Sequence, residues 1–178
     1  MPEEKTEKTM NRHVYPSVYL HQNEIDAGDV LTEKWDPNAK YEWDAGVAIG
    51  RYLEELKAGR LIGRRCDSCR RVMIPPRMFC ELCFRPTDDW VILQDSGTVE
   101  TFSLCYVTWD MQRLTEPQIP AVIEIDGASK GMGIMHLLGG VEPDDVHIGL
   151  RVQAVWKPPE ERQGDITDIL YFRPIHKE

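Results

Sequence analysis

Cys66-Asp67-Ser68-Cys69, followed ten residues later by Cys80-Glu81-Leu82-Cys83, decides how the rest of this chain is read. Four of the five cysteines stand in these two Cys-x-x-Cys pairs. Each pair offers two thiolates about one turn apart, and two such turns facing each other form a tetrahedral site for one Zn²⁺. Such a site is closed, with no coordination position left for a substrate. Two disulfides would need an oxidising compartment, which nothing in the chain suggests. A redox pair would account for one Cys-x-x-Cys but not for two so close together. Between the pairs, Arg70-Arg71-Val72-Met73-Ile74-Pro75-Pro76-Arg77 reads as a short strand and a proline-stiffened turn. The whole is a zinc ribbon, a small sheet that needs a metal because it has little core of its own.

Working outward, the 178 residues allow a small module and one medium domain. Apolar residues make up 42%, enough for a real core outside the ribbon. The net charge of −9 repels phosphate backbones and weighs against a general nucleic-acid binder. No apolar run is long enough to span a membrane, and the charged start Met1-Pro2-Glu3-Glu4-Lys5 is no secretory signal. Reduced, metal-binding cysteines fit the cytoplasm.

Upstream of the ribbon, residues 1–12 are charged and read as disordered. Residues 13–46 scatter His13, Tyr15, Tyr19, Trp35, Tyr41 and Trp43 among Pro, Asn, Asp and Gly. An arm this aromatic should lie on something, its own domain or a partner. Residues 47–58 read as a helix with Val47, Ile49, Leu53 and Leu56 on one face, Asp44 as N-cap and Gly59 as the stop. A helix this short must pack on the ribbon or on another chain, which makes Val47, Leu53 and Leu56, with Tyr41 and Trp43 of the arm, candidate partner contacts.

Downstream, residues 61–65 and 90–93 read as ribbon strands and 95–97 as a turn. Five strands follow, at 98–109, 119–126, 131–138, 150–156 and 166–172. They suggest a small closed barrel, of the oligonucleotide/oligosaccharide-binding (OB) kind with a degenerate helix between strands three and four, or an SH3-like barrel or sandwich. The expected architecture is therefore mainly β: arm 1–46, helix 47–60, rubredoxin-like ribbon 61–93 and five-stranded barrel 94–178.

Arg60, Arg64, Arg65, Arg70, Arg71 and Arg77 gather around the first knuckle, with Asp67 the only acid from 60 to 80. They could seat the phosphates of an anionic ligand, or offset the charge of about −2 that four thiolates and one Zn²⁺ leave. Cys105, in a strand without a neighbouring histidine, reads as a buried inert thiol. The histidines show no ligand spacing, and Gly131-Met132-Gly133 reads as a tight turn opening a strand. No catalytic set can be assembled from this chain alone.

The ordered parts resemble a known family. A helix leads into Arg65–Cys69, then Pro75–Arg77, Cys80–Cys83, Trp90, Gly97–Val99, Ile148–Val152 and Phe172–Pro174. This series is similar to the acyl-CoA-associated zinc-ribbon/OB-fold proteins, over about residues 45–176. The resemblance implies a non-catalytic subunit of a thiolase-type complex that makes or breaks carbon–carbon bonds next to an acyl-CoA thioester, with the catalytic residues on the partner. It also implies that CoA or acyl-CoA is a ligand shared with the partner, for which Arg65, Arg70, Arg71 and Arg77 are the candidate contacts. The aromatic arm is similar to that of small thiolase subunits of anaerobic aromatic degradation. The reading from another class is a single-stranded nucleic-acid module, with Phe102, Tyr106 and Trp109 as stacking residues.

Overall fold

The computed structural model describes residues 21–30, 33 and 40–175. It divides into two units, Met1–Glu42 and Trp43–Glu178. In the first, the described residues hold one short helix, α1 (Gln22–Asp26), whose first turn is closed by His21 N–H donating to the Glu24 carboxylate at 2.9 Å. All of residues 1–12, and 13–20, 31–32 and 34–39 of the predicted aromatic arm with His13, Tyr15, Tyr19 and Trp35, lie outside the described residues. Tyr41 is exposed.

In the second unit, α2 spans Gly46–Lys57. Asp44 takes the Gly46 N–H at 2.8 Å, but the residue at the N-cap position is Ala45, one further on than predicted. The helix ends as the sequence suggests. Gly59, at φ +73°, donates to Leu56 C=O, and Arg60 N–H reaches back to Glu55 C=O, the paired bonds of a Schellman motif. The buried stripe is Ala48, Tyr52 and Leu56, at i, i+4 and i+8. Val47 is exposed and Leu53 half-buried. The predicted face was turned by about one residue because Tyr52 takes the inward position that Val47 and Ile49 were expected to share.

The ribbon follows. Strand β1 (Leu61–Arg65) is the centre of a three-stranded antiparallel sheet, between β2 (Val72–Met73) and β5 (Asp89–Leu93). A separate two-stranded hairpin, β3 (Phe79–Cys80) and β4 (Arg85–Pro86), carries the second knuckle.

The barrel is built from β6 (Ser96–Phe102), β8 (Arg113–Ile125), β9 (Gly133–Leu138), β10 (Arg151–Trp156) and β11 (Ile169–Pro174). β6 pairs with both β8 and β10, β8 with β9, β9 in parallel with β11, and β11 with β10, so the ring closes. This is the OB arrangement, and a closed ring leaves no edge among its five strands. Between β9 and β10 there is only a 3-10 turn at Pro143–Asp145, as the degenerate-helix reading expects.

Three local expectations are corrected. The predicted turn at 95–97 is already strand from Ser96. The predicted strand 98–109 breaks after Phe102, and β7 (Cys105–Val107) continues it along β8 as a two-stranded extension. β8 starts six residues before the predicted 119, running through Pro117 and Pro120. Pro120 accepts from Ser103 N–H through its carbonyl. Its missing donor therefore costs less there than in a regular ladder.

Two glycines let neighbouring strands close on β8. A Cβ on Gly97 would meet the Glu124 carbonyl oxygen at 2.3 Å, and one on Gly133 the Ile123 oxygen at 2.2 Å. One hydrophobic cluster runs through both modules, from Leu56, Leu61, Ile62, Met73 and Ile74 to Val99, Ile123, Ile125, Val152, Ile169 and Phe172. Ribbon and barrel are also pinned by backbone. Val72 N–H donates to the Ser129 hydroxyl at 2.9 Å, Ser129 N–H returns to Val72 C=O at 3.0 Å, and Gln94 N–H reaches Asp126 C=O at 3.3 Å. Among the described residues no helix is long and apolar enough to cross a membrane.

Candidate metal centre

Each knuckle is made by the same local device. β1 delivers Cys66, whose N–H is taken by Arg71 C=O at 2.9 Å across the turn that holds Cys69. β3 delivers Cys80, and the next turn holds Cys83. The residue after each pair, Arg70 and Phe84, takes positive φ, 61° and 49°. That kink returns the chain and points both sulfurs of a pair the same way.

The four sulfurs, of Cys66, Cys69, Cys80 and Cys83, lie within 4.8 Å of one another, and Cys69 and Cys80 are 3.7 Å apart. Tetrahedral zinc with Zn–S bonds of about 2.3 Å needs sulfurs about 3.8 Å apart. None of the cysteines is in a disulfide. Cys66 and Cys80 are wholly buried in the hydrophobic cluster, where two thiolates without a cation would be costly. The sulfurs compete for protons. Burial would push the Cys80 thiol up, but the N–H groups of Cys83 and Leu82 and the neighbouring thiols bring it down to about 7. For Cys69 the Arg71 backbone lowers the value, and burial with the other three sulfurs outweighs it, leaving it pushed up to about 11. A dication in place of those protons resolves the competition. The donor set therefore fits one structural Zn²⁺, and all four predicted ligands are brought together.

The arginines are placed differently from the phosphate-seat reading. Arg65 binds Asp67 at 2.9 Å and Asp89 at 2.6 Å. Arg71 pairs with Glu81, and Arg77 reaches the same carboxylate at 3.4 Å. Its own backbone N–H first, and then Arg71 and Arg77, hold the Glu81 carboxyl below its ordinary range. Arg60 binds Glu55 at 2.6 Å. Apart from Asp67, the acids come from beyond residue 80 or from the helix, which is why the interval 60–80 looked basic. Arg64 is buried without a carboxylate. It donates to the Thr87 hydroxyl at 2.9 Å and carbonyl at 2.6 Å, and its guanidinium lies 4.7 Å from the Trp90 ring, which also receives Arg51 at 4.5 Å. Of the four predicted phosphate contacts, Arg70 is exposed and has no ion pair among the described residues.

Of the predicted partner contacts, Val47, Tyr41 and Trp43 are exposed, whereas Leu56 is fully buried in the chain's own core and cannot dock anything. Cys105 is half-exposed rather than buried, because β7 lies outside the closed ring. Sequence reasoning missed Asp168. This wholly buried carboxylate accepts from the N–H groups of Gln163, Gly164 and Asp165 at 2.7–3.2 Å and so ties the β10–β11 loop. Its only signal was a capping pattern, Asp165-x-x-Asp168.

A rubredoxin-like metal clip fused to an OB barrel defines the class. A family model for the ChsH2 rubredoxin-like zinc ribbon domain matches residues 53–89, and one for the ChsH2 C-terminal OB-fold domain matches residues 90–157. A DUF35 domain-containing scaffold protein of Methanocaldococcus jannaschii is 36% identical over 133 residues, 72% of this chain and 90% of the relative. The chain belongs to this ChsH2-type, DUF35 family of zinc ribbon plus OB-fold proteins. A probable enoyl-CoA hydratase alpha subunit of Thermomonospora curvata is 27% identical over 69% of this chain, which spans only 36% of that longer protein. Among solved structures, a DUF35 protein of unknown function from Sulfolobus solfataricus aligns with a TM-score of 0.54 at 25% identity, covering 62% of this chain and 78% of that one. An Ltp2-ChsH2(DUF35) aldolase aligns at 0.53 and 23% identity, covering 78% and 98%, a likeness of fold.

Proposed function

We propose that this chain is the zinc-clipped, non-catalytic subunit of a thiolase-type complex acting on acyl-CoA, making or breaking a carbon–carbon bond with catalytic residues supplied by its partner. The family assignment carries the reading: a relative matched over 90% of its own length is named a scaffold protein. The enoyl-CoA hydratase subunit and the Ltp2-ChsH2 aldolase, by their names, add acyl-CoA chemistry and a second subunit among similar proteins. A closed tetrathiolate site, with no open position for substrate, agrees with a structural rather than a catalytic metal. The setting in this reading is the cytoplasm, where the thiols stay reduced. CoA is shared with the partner, and of the four predicted arginines Arg70, exposed and without an ion pair among the described residues, is the one left to meet its phosphates. A narrower version, the small subunit of a benzoylsuccinyl-CoA thiolase, rests on the aromatic arm of residues 13–46 alone.

Co-expression with a thiolase-type gene encoded next to this one tests the proposal. The expected result is one gel-filtration peak holding both chains, with thiolase activity that the partner alone lacks. Two separate peaks at micromolar protein would refute it.

The single-stranded nucleic-acid reading draws on Tyr106 and Trp109, both exposed on the β7–β8 extension. Ion-paired arginines and a net charge of −9 weigh against it. Titration with a fluorescent oligonucleotide at low and moderate salt separates the two.

A further inference from the structure

The two knuckles share a backbone plan but not a chemistry. The first turn carries Asp67, Ser68 and Arg70, all exposed and polar. The second carries Met78, Phe79, Leu82 and Phe84, exposed by 44, 49, 64 and 82%. Building a knuckle therefore does not require apolar residues at these places. Phe84 is the sharpest case: it corresponds to Arg70, holds φ at +49° and keeps its ring in water. A bulky side chain in that conformation is uncommon and mildly strained.

The charges around this turn are spent internally. Arg77 and Arg71 share Glu81, Arg85 binds Asp88 at 2.8 Å, and Asp89 holds Arg65. Every charged side chain from 77 to 89 thus has an opposite partner within the chain. Such a rim offers nothing to a phosphate or an acidic peptide; it suits an uncharged apolar socket. A second copy is a poor occupant. Two chains of net charge −9 repel, and no charged side chain from 77 to 89 is left unpaired to bridge them.

We infer that the second knuckle is a docking plug, inserting Leu82 and Phe84, flanked by Met78 and Phe79, into an uncharged apolar socket on the partner subunit. The inference rests on the proposed function and deepens it, moving the principal partner contact from α2 and the arm to the second knuckle. Because Cys80 and Cys83 tie the turn to the metal, the plug is formed before it binds, and little ordering entropy opposes docking.

The test measures binding of the full-length, zinc-loaded chain to the purified thiolase-type partner by calorimetry. Leu82→Ser and Phe84→Ser each weaken binding about tenfold or more, as buried anchors do. Phe84→Gly relieves the backbone while removing the ring, so it folds at least as well and binds as poorly. Ile92→Ser and Trp109→Ser, exposed elsewhere, change affinity less than twofold. Zinc content confirms that each variant is intact. Wild-type association with Leu82 and Phe84 variants binding within twofold of it overturns the plug and leaves the proposed function standing. Absence of wild-type association at micromolar protein overturns both. A concentration-dependent self-dimer that Phe84→Gly dissolves overturns the choice of occupant.

Discussion

Replacing Cys80 with serine separates what the metal contributes from what packing contributes. Cys80 is wholly buried, and its sulfur sits 3.7 Å from that of Cys69. A serine hydroxyl is not ionised at neutral pH and is a poor zinc ligand, so the site keeps three thiolates. Structural zinc binding is worth roughly 10–16 kcal/mol in isolated fingers, so one ligand in four accounts for about 3 kcal/mol. That corresponds to roughly a hundredfold weaker metal binding. Whole-domain stability is only about 5–15 kcal/mol, so removing the metal altogether is enough to melt the ribbon. The barrel has its own closed ring and should persist, although the shared hydrophobic cluster makes it melt at lower temperature. Competition with a chromophoric chelator gives the affinity, elemental analysis gives one zinc per wild-type chain, and hydrogen exchange locates the melting. Amides of residues 61–93 should lose protection on chelation while those of β6, β8 and β9 keep it. Unchanged ribbon protection without metal, or a Cys105→Ser variant losing as much affinity as Cys80→Ser, would refute the reasoning.

Two further outcomes follow from the backbone and from a buried carboxylate. Gly133→Ala must push a methyl against a backbone oxygen at 2.2 Å and should lower stability by about 2 kcal/mol or more, whereas Gly50→Ala, in α2 with nothing within 4 Å, should raise it by about 0.5–1 kcal/mol; chemical denaturation reads both signs. Burial pushes the Asp168 carboxyl up, but the N–H groups of Gln163, Gly164 and Asp165, with Lys157 nearby, outweigh it and hold the value below the ordinary carboxylate range. Its folded value lies below its unfolded one, so its contribution is present above about pH 4 and is lost as pH falls through the folded value. Asp168→Asn should flatten that acid limb in thermal melts from pH 7 down to pH 3, and an acid limb identical to wild type would count against the assignment.

The metal ligands and the order of strands were legible because both are local: cysteine spacing, β-branched runs and glycine punctuation act over a few residues. Three features were not. The helix face was misjudged because Tyr52 is amphipathic, and only the packing settles that its ring goes inward with its hydroxyl unpaired. The length of β8 was hidden by Pro117 and Pro120, which argue against a strand unless one knows which side of each residue faces a neighbour. The arginine cluster looked unbalanced because Glu81 and Asp89 are brought alongside Arg71 and Arg65 by turn closure and strand pairing rather than by sequence proximity.

The two-way bond between Val72 and Ser129, with Gln94 to Asp126 as a second pin, acts like a mortise joint with two dowels. One dowel would let the clip swivel on the barrel; two fix the torsion between them. Whatever grips the tip of the clip therefore also aims the barrel, so a partner could orient both while holding only the smaller of the two.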